Sequence, residues 1–166
     1  MPKSITIDIF DSRSIENAIR ALEIEQQRLE RKSMELAKRL AEIGLNVATV
    51  RFATAQYDGD GEVEVLPLQP IKNGYAIVAK GEAVAFIEFG AGATYGYGHP
   101  KPDVDGYHFG PGTWNPESPH WNDPKGWYYA HGKRSLGNAP AMAMYGAEEA
   151  ILMADIREIA QQVFND

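Results

Sequence analysis

Residues 5–10 alternate apolar and polar side chains. Isoleucine stands at every second position from Ile5 to Ile9, and Phe10 closes the run. Because successive side chains of a strand point to opposite faces, this alternation predicts a half-buried strand over residues 5–10.

A seven-residue apolar repeat then predicts a long helix over about residues 14–43. Its two lines are Ile15, Leu22, Leu29, Leu36 and Ile43, and Ile19, Gln26, Ser33 and Leu40. The polar centre of the second line favours an amphipathic helix lying on a sheet over a coiled coil, and a meeting point of two shorter helices is a third alternative. Asp11, Ser12 and Ser14 are candidate N-caps, and Gly44 is a natural C-terminal stop.

The middle of the chain has the pattern of antiparallel strands. Strands are predicted over residues 46–55, 62–66 and 75–79, and turns over residues 57–61 and 72–74. The apolar run at residues 84–89 is short, and it fits either a strand or one turn of helix.

The last part of the chain predicts a terminal helix. Asn138 is a plausible N-cap, Pro140 fits the first turn, and apolar residues from Met142 to Val163 recur at helical spacing. The chain length fits one domain spanning residues 1–166. We therefore expect an α+β fold, with an antiparallel β-sheet meander packed against a long N-terminal helix and a C-terminal helix.

Between these elements, a segment of about residues 91–137 shows no sustained hydrophobic period. It contains all three tryptophans and all four histidines. Disordered segments are poor in aromatic residues, so we expect an ordered aromatic, Gly- and Pro-rich loop insertion. Within it, residues 127–130 fit a strand that returns to the sheet.

Composition excludes several classes of function. The absence of cysteine excludes disulfides, thiolate zinc sites and a cysteine nucleophile. A formal net charge of −7 argues against sequence-specific nucleic-acid binding, and no segment approaches the apolar length of a membrane span. We expect a protein that is made in the cytoplasm and does not bind membranes.

Candidate chemistry in the segment is weak. The histidines stand 9, 12 and 11 residues apart, without a metal-ligand motif, and Ser118, His120 and Asp123 lack the glycine-flanked elbow of a hydrolase. We predict no catalytic, cofactor-binding or metal site. Two alternatives stay open. A carbohydrate-binding module would use Trp114, Trp121 and Trp127, and a small hydrolase or metalloenzyme would use loop acids with His99, His108, His120 or His131.

Three short motifs, in order, resemble a tail-component family of tailed phages named for gene product ten of a lambda-like coliphage. Residues 85–92 read Ala-Phe-Ile-Glu-Phe-Gly-Ala-Gly and match its Glu-Phe-Gly-Thr-Gly strand end except at Ala91. Residues 126–129 read Gly-Trp-Tyr-Tyr and match the second motif. The third motif opens the terminal helix, where Ala143 departs from the usual phenylalanine. Its matching residues are Gly137, Met144, Tyr145 and Ala147.

The resemblance implies a non-enzymatic structural protein of the virion, made in the bacterial host. Its role would be tail completion or head–tail joining at the neck, as the connector of a phage or prophage. It implies a homo-oligomeric ring, with a hexamer as one option, other neck and tail proteins as partners, and no cofactor. We expect Glu88 to accept backbone N–H groups of the glycine turn. Candidate structural or interface residues are Glu88, Phe89, Gly90, Gly92, Trp114, Trp121, Trp127, Tyr128, Tyr129, Gly137, Met144 and Tyr145.

Overall fold

The computed structural model describes residues 4–57, 62–92, 95–101, 103–104, 107–108, 127–128 and 134–165. Its helices are α1 (Ser12–Thr54), α2 (Val84–Phe89), α3 (Ala143–Met153) and α4 (Ile156–Asn165). Its strands are β1 (Glu64–Val65), β2 (Gln69–Ile71), β3 (Gly74–Ala76), β4 (Ala79–Lys80), β5 (Asp103–Val104), β6 (Tyr107–His108), β7 (Trp127–Tyr128) and β8 (Arg134–Ser135). Helices and small antiparallel sheets together confirm the α+β class in its broad form.

The chain contacts group into two compact units. One consists of Met1–Arg39 and Asp155–Asp166, and it contains the first part of α1 together with α4. The other consists of Leu40–Ala154, and it contains the rest of α1, the strands, α2 and α3. A single domain over residues 1–166 stays a prediction.

Helix α1 runs well past its predicted end at Gly44, so the strand predicted at residues 46–55 is wrong. Gly44 lies inside the helix, where an added Cβ would stand 2.7 Å from Ile151 Cδ1 and 2.8 Å from Ile77 Cδ1. The glycine therefore permits close packing of α1 against α3 and does not end the helix. The β-branched Thr49 is accommodated because its hydroxyl donates to the Leu45 carbonyl at 2.8 Å.

The predicted N-terminal strand is also wrong, because residues 4–10 form an irregular segment that ends in a turn. Asp8 N–H donates to Ser14 Oγ at 2.9 Å, and Phe10 N–H donates to Asp8 Oδ1 at 3.0 Å. These polar contacts tie the segment to the start of α1. Asp11 accepts the N–H of Arg13 at 3.0 Å, which confirms it as a capping residue.

The described strands pair two by two and not as one meander. The antiparallel pairs are β1 with β4, β2 with β3, β5 with β6, and β7 with β8. The β2–β3 hairpin turns at Lys72-Asn73, as predicted. The predicted return strand exists as β7, but it pairs with β8 near the end of the insertion. The turn predicted at residues 57–61 falls largely outside the described residues.

The core of the second unit lies where the end of α1, α2 and the start of α3 meet. Its buried side chains are Phe52, Ala83, Ile87 and Ala143. The run at residues 84–89 is thus helical, which decides between the two alternatives. The terminal helix is divided into α3 and α4, and Asp155 Oδ1 caps α4 by accepting the N–H of Glu158 at 2.9 Å.

Candidate functional site: the Glu88 junction

The first and third motifs of the sequence meet in one place. Ala91 and Asn138 exchange two backbone hydrogen bonds of 3.0 Å. The Asn138 side-chain amide also donates to the Phe86 carbonyl at 2.9 Å. We name the contact between residues 86–92 and 137–145 the Glu88 junction.

The carboxylate of Glu88 lies at the centre of this junction, and the residue is only 3% exposed. Its Oε2 accepts the N–H of Met144 and its Oε1 accepts the N–H of Tyr145, both at 2.9 Å. These N–H groups belong to the first turn of α3, where a helix supplies no partners of its own. A negative charge there is also stabilised by the helix dipole. Glu88 therefore caps α3 from α2, where we had expected it to bind the glycine turn.

Met142 precedes α3 and explains why the helix needs a cap from elsewhere. It adopts a left-handed conformation with φ 51° and ψ 42°, and its side chain makes no capping hydrogen bond. Its N–H donates to the Glu88 carbonyl at 3.2 Å, and its carbonyl accepts from Arg51 Nη1 at 2.8 Å. Such backbone strain persists only where surrounding contacts fix it. The bonds from α1 and α2 supply that constraint.

His99 lies against the same carboxylate, and its side chain is 4% exposed. Its Nδ1 accepts the backbone N–H of Lys101 at 3.1 Å, and its Nε2 stands 3.3 Å from Glu88 Oε1. A neutral imidazole has one donor and one acceptor nitrogen, so the proton belongs on Nε2, which donates to Glu88. The ring lies 4.5 Å from the Phe89 ring and 5.7 Å from the Tyr145 ring, centroid to centroid.

A groove of about 460 Å³ opens beside the junction and is bordered by charged residues. Lys101 Nζ stands 2.7 Å from Glu148 Oε1 and 2.5 Å from Glu148 Oε2, and it lies 5.6 Å from the Tyr145 ring centroid. Burial, together with a hydrogen bond to Glu149 and its negative charge, raises the pKa of Tyr145 above that of a free phenol. Glu88 and Phe89 are among the residues that line the groove.

Two motif glycines are required by the backbone geometry of the junction. Gly90 has φ 78°, and a Cβ there would stand 2.9 Å from the Asn138 carbonyl oxygen. Gly137 has φ 93°, and its Cβ would stand 2.0 Å from the Ala91 carbonyl oxygen. Positive φ and close backbone approach both exclude a side chain at these positions.

The structure brings together about half of the predicted site residues. Those at the junction are Glu88, Phe89, Gly90, Gly92, Gly137, Met144 and Tyr145. Trp127 and Tyr128 form β7, and only their backbone is described. Trp114, Trp121 and Tyr129 lie outside the described residues, as do His120 and His131 of the enzyme alternative.

Three contacts at the junction are not predicted from the sequence. Asn138 was predicted to cap the terminal helix, but it pairs with Ala91 and binds Phe86. His99 is a candidate residue of the enzyme alternative, but no sequence pattern places it beside Glu88. Arg51 was assigned to a strand. No local signal connects Arg51 with Met142, because they stand 91 residues apart.

The chemistry of the junction favours positioning over proton transfer. Both oxygens of Glu88 accept backbone N–H groups, and its histidine neighbour is held by a further N–H. Among the described residues, no three His, Asp or Glu side chains gather as a metal site would require. Within the same part of the chain, no helix is long and apolar enough to cross a membrane.

Fold and site together define an α+β protein with a buried, carboxylate-capped junction. No protein-family model, curated protein or solved structure matches the chain.

Proposed function

We propose that the protein is a structural subunit of a tailed phage or prophage particle, acting in tail completion or head–tail joining. The observation that supports this proposal is the meeting of two resemblance motifs at one carboxylate. Glu88 in the first motif binds the N–H groups of Met144 and Tyr145 in the third, 56 and 57 residues away. The residues of the two motifs thus share a structural role, because these hydrogen bonds join α2 to the start of α3.

Assembly into a ring of identical subunits is part of the proposal, with a hexamer as one option. A ring needs two different surfaces on each subunit that complement each other and close by rotation. The junction fixes both ends of the segment between Ala91 and Asn138. We propose that this aromatic-rich segment contacts the neighbouring subunit or other neck and tail proteins. Its candidate contact residues are Trp114, Trp121, Trp127, Tyr128 and Tyr129.

The decisive experiment is deletion of the gene from the genome that carries it, followed by electron microscopy of the particles produced. We expect separate heads and tails in place of joined particles, and rejoining when purified protein is added to the lysate. Normal particles after deletion, or a genome without portal, capsid and tail genes around this one, would refute the proposal.

A matched pair of variants tests whether the proposed head–tail joining role depends on the Glu88 junction. We expect Glu88→Ala to fail in the rejoining assay, while Glu64→Ala, which removes an exposed glutamate from β1, rejoins normally. Equal activity of the two variants would show that the role does not depend on the junction.

A further inference from the structure

The first part of α1 carries a row of exposed apolar side chains. Ile15 is 39% exposed, Ile19 51%, Leu22 58% and Leu29 44%. They occupy the core positions of a heptad repeat over about 21 Å of helix. Single exposed apolar residues are ordinary, but a contiguous row at this spacing is typical of a surface that binds another helix. We name these four residues the α1 stripe.

In the compact unit formed by Met1–Arg39 and Asp155–Asp166, a neighbouring row of α1 side chains is buried or half-buried, while the α1 stripe is exposed. The residues of this covered row are spaced by seven: Ala18 is 5% exposed, and Glu25 and Lys32 are half-buried. Val163 of α4, in the same unit, is 1% exposed. Because the covered row lies along only one side of the α1 stripe, the stripe itself stays accessible to a partner helix.

Acidic residues border the other side of the stripe. Glu16, Glu23 and Glu30 each follow a stripe residue by one position and occupy the flanking e positions of the heptad. In the described part of the chain, Glu16 and Glu23 have no cation within 4.0 Å. Glu30 accepts a hydrogen bond from Gln26 Nε2 at 2.9 Å. The row therefore presents negative charge to whatever covers the stripe.

These charges disfavour a second copy of the chain as the partner. In an antiparallel pair, e positions face e positions, so the acidic rows of the two copies would oppose each other. In a parallel pair, Glu25 of one copy would face Glu30 of the other. Like charges at these positions disfavour a pairing, and opposite charges select a partner.

We propose that the α1 stripe binds an amphipathic helix of another polypeptide, whose flanking positions carry lysine or arginine opposite Glu16, Glu23 and Glu30. The inference rests on the pattern of apolar exposure and charge on α1. It does not depend on the proposed function, because a basic partner helix could belong to any assembly. Gln26, at a core position between Leu22 and Leu29, calls for a polar residue opposite it, which sets the register.

Two synthetic peptides of three heptads test the proposal with the full chain. They share leucine and isoleucine core positions and one central asparagine, but one carries lysine and the other glutamate at the flanking positions. By fluorescence anisotropy, we expect the lysine peptide to bind at least tenfold more tightly and to weaken as salt is raised. The triple reversal Glu16→Lys, Glu23→Lys and Glu30→Lys should invert the preference.

Two further variants locate the binding surface. Leu22→Glu places a charge in the stripe and should weaken binding of the lysine peptide at least tenfold. Ile24→Glu changes an isoleucine that is 66% exposed on another face, and it should leave binding unchanged. Equal affinity for both peptides, or insensitivity to Leu22→Glu, would overturn the proposal. A concentration-dependent dimer that Leu22→Glu dissociates and Ile24→Glu does not would overturn it in favour of a second copy.

Discussion

Replacing Glu88 with alanine removes the carboxylate that accepts the N–H groups of Met144 and Tyr145. Both groups are partly buried at the start of α3. A buried donor left without a partner costs about 1–3 kcal/mol, so two of them, with the lost contact to His99, amount to about 3–5 kcal/mol. A domain with about 5–15 kcal/mol of total stability would lose a large fraction of it. At about 2–4 °C per kcal/mol, we expect the melting temperature to fall by about 10 °C.

Three measurements make this prediction specific. Glu88→Gln keeps one carbonyl oxygen but turns an amide donor toward an N–H donor, so we expect about half of the loss. The exposed Glu64→Ala should stay within about 0.5 kcal/mol of the parent protein in urea unfolding. Hydrogen exchange should accelerate at the amides of Met144 and Tyr145 in Glu88→Ala. If that variant unfolds within about 1 kcal/mol of the parent and both amides keep their protection, the capping role is refuted.

Two other predictions concern a glycine and a phenol of the junction. Gly137→Ala should destabilise the protein by about 2 kcal/mol or more in urea unfolding, because its new Cβ meets the Ala91 carbonyl oxygen and φ is positive. Gly74→Ala, where nothing stands within 4 Å, is the control, and equal losses would contradict the argument. Because the folded state raises the pKa of the Tyr145 phenol, its contribution to stability is present below pH 10 and is lost as the pH rises further. Tyr145→Phe should therefore reduce the alkaline loss of stability above pH 10, and an unchanged profile would refute the shift.

The helices were predictable where apolar residues recur at regular helical spacing. They were not predictable at a residue such as Gly44, which is compatible both with the end of a helix and with close packing inside one. Gly44 is a common helix stop, and β-branched residues after it favour a strand. The spacing of Ala41, Gly44, Ala48 and Phe52 is nonetheless helical, and Ala41, Ala48 and Phe52 are buried hydrophobic residues. Tertiary packing against Ile151 decided between the two patterns. A count of small residues at helical spacing would have found this continuation.

The N-terminal strand failed for a different physical reason. Alternation describes which side chains could face a core, but a strand also needs a neighbouring backbone to bind. Polar side chains near the start of α1 bind this segment locally, and Phe10 is 94% exposed. The alternation of apolar and polar residues is present over residues 5–10, but it does not specify a sheet partner.

Several residues of the candidate site were predictable from the sequence, but the contacts between them were not. Glu88 and Gly137 were chosen from motifs, but the acceptor role of Glu88 toward α3 depends on a contact across 56 residues. The position of Asn138 before an apolar helical pattern indicated a cap. Its bridge to Ala91 could only come from the folded chain, because no local pattern encodes such a pairing.

The bridge between Ala91 and Asn138 makes the intervening segment an exchangeable module. The segment begins at one residue of the bridge and ends at the other, where the two backbones are joined by hydrogen bonds of 3.0 Å. Closing a loop of twice the length costs only about 0.6 kcal/mol more, so the framework constrains its two ends far more strongly than its size. Apart from His99 and Lys101, whose side chains contact Glu88 and Glu148, the segment can therefore be shortened, lengthened or replaced to suit a different partner while the helices that hold its ends stay the same.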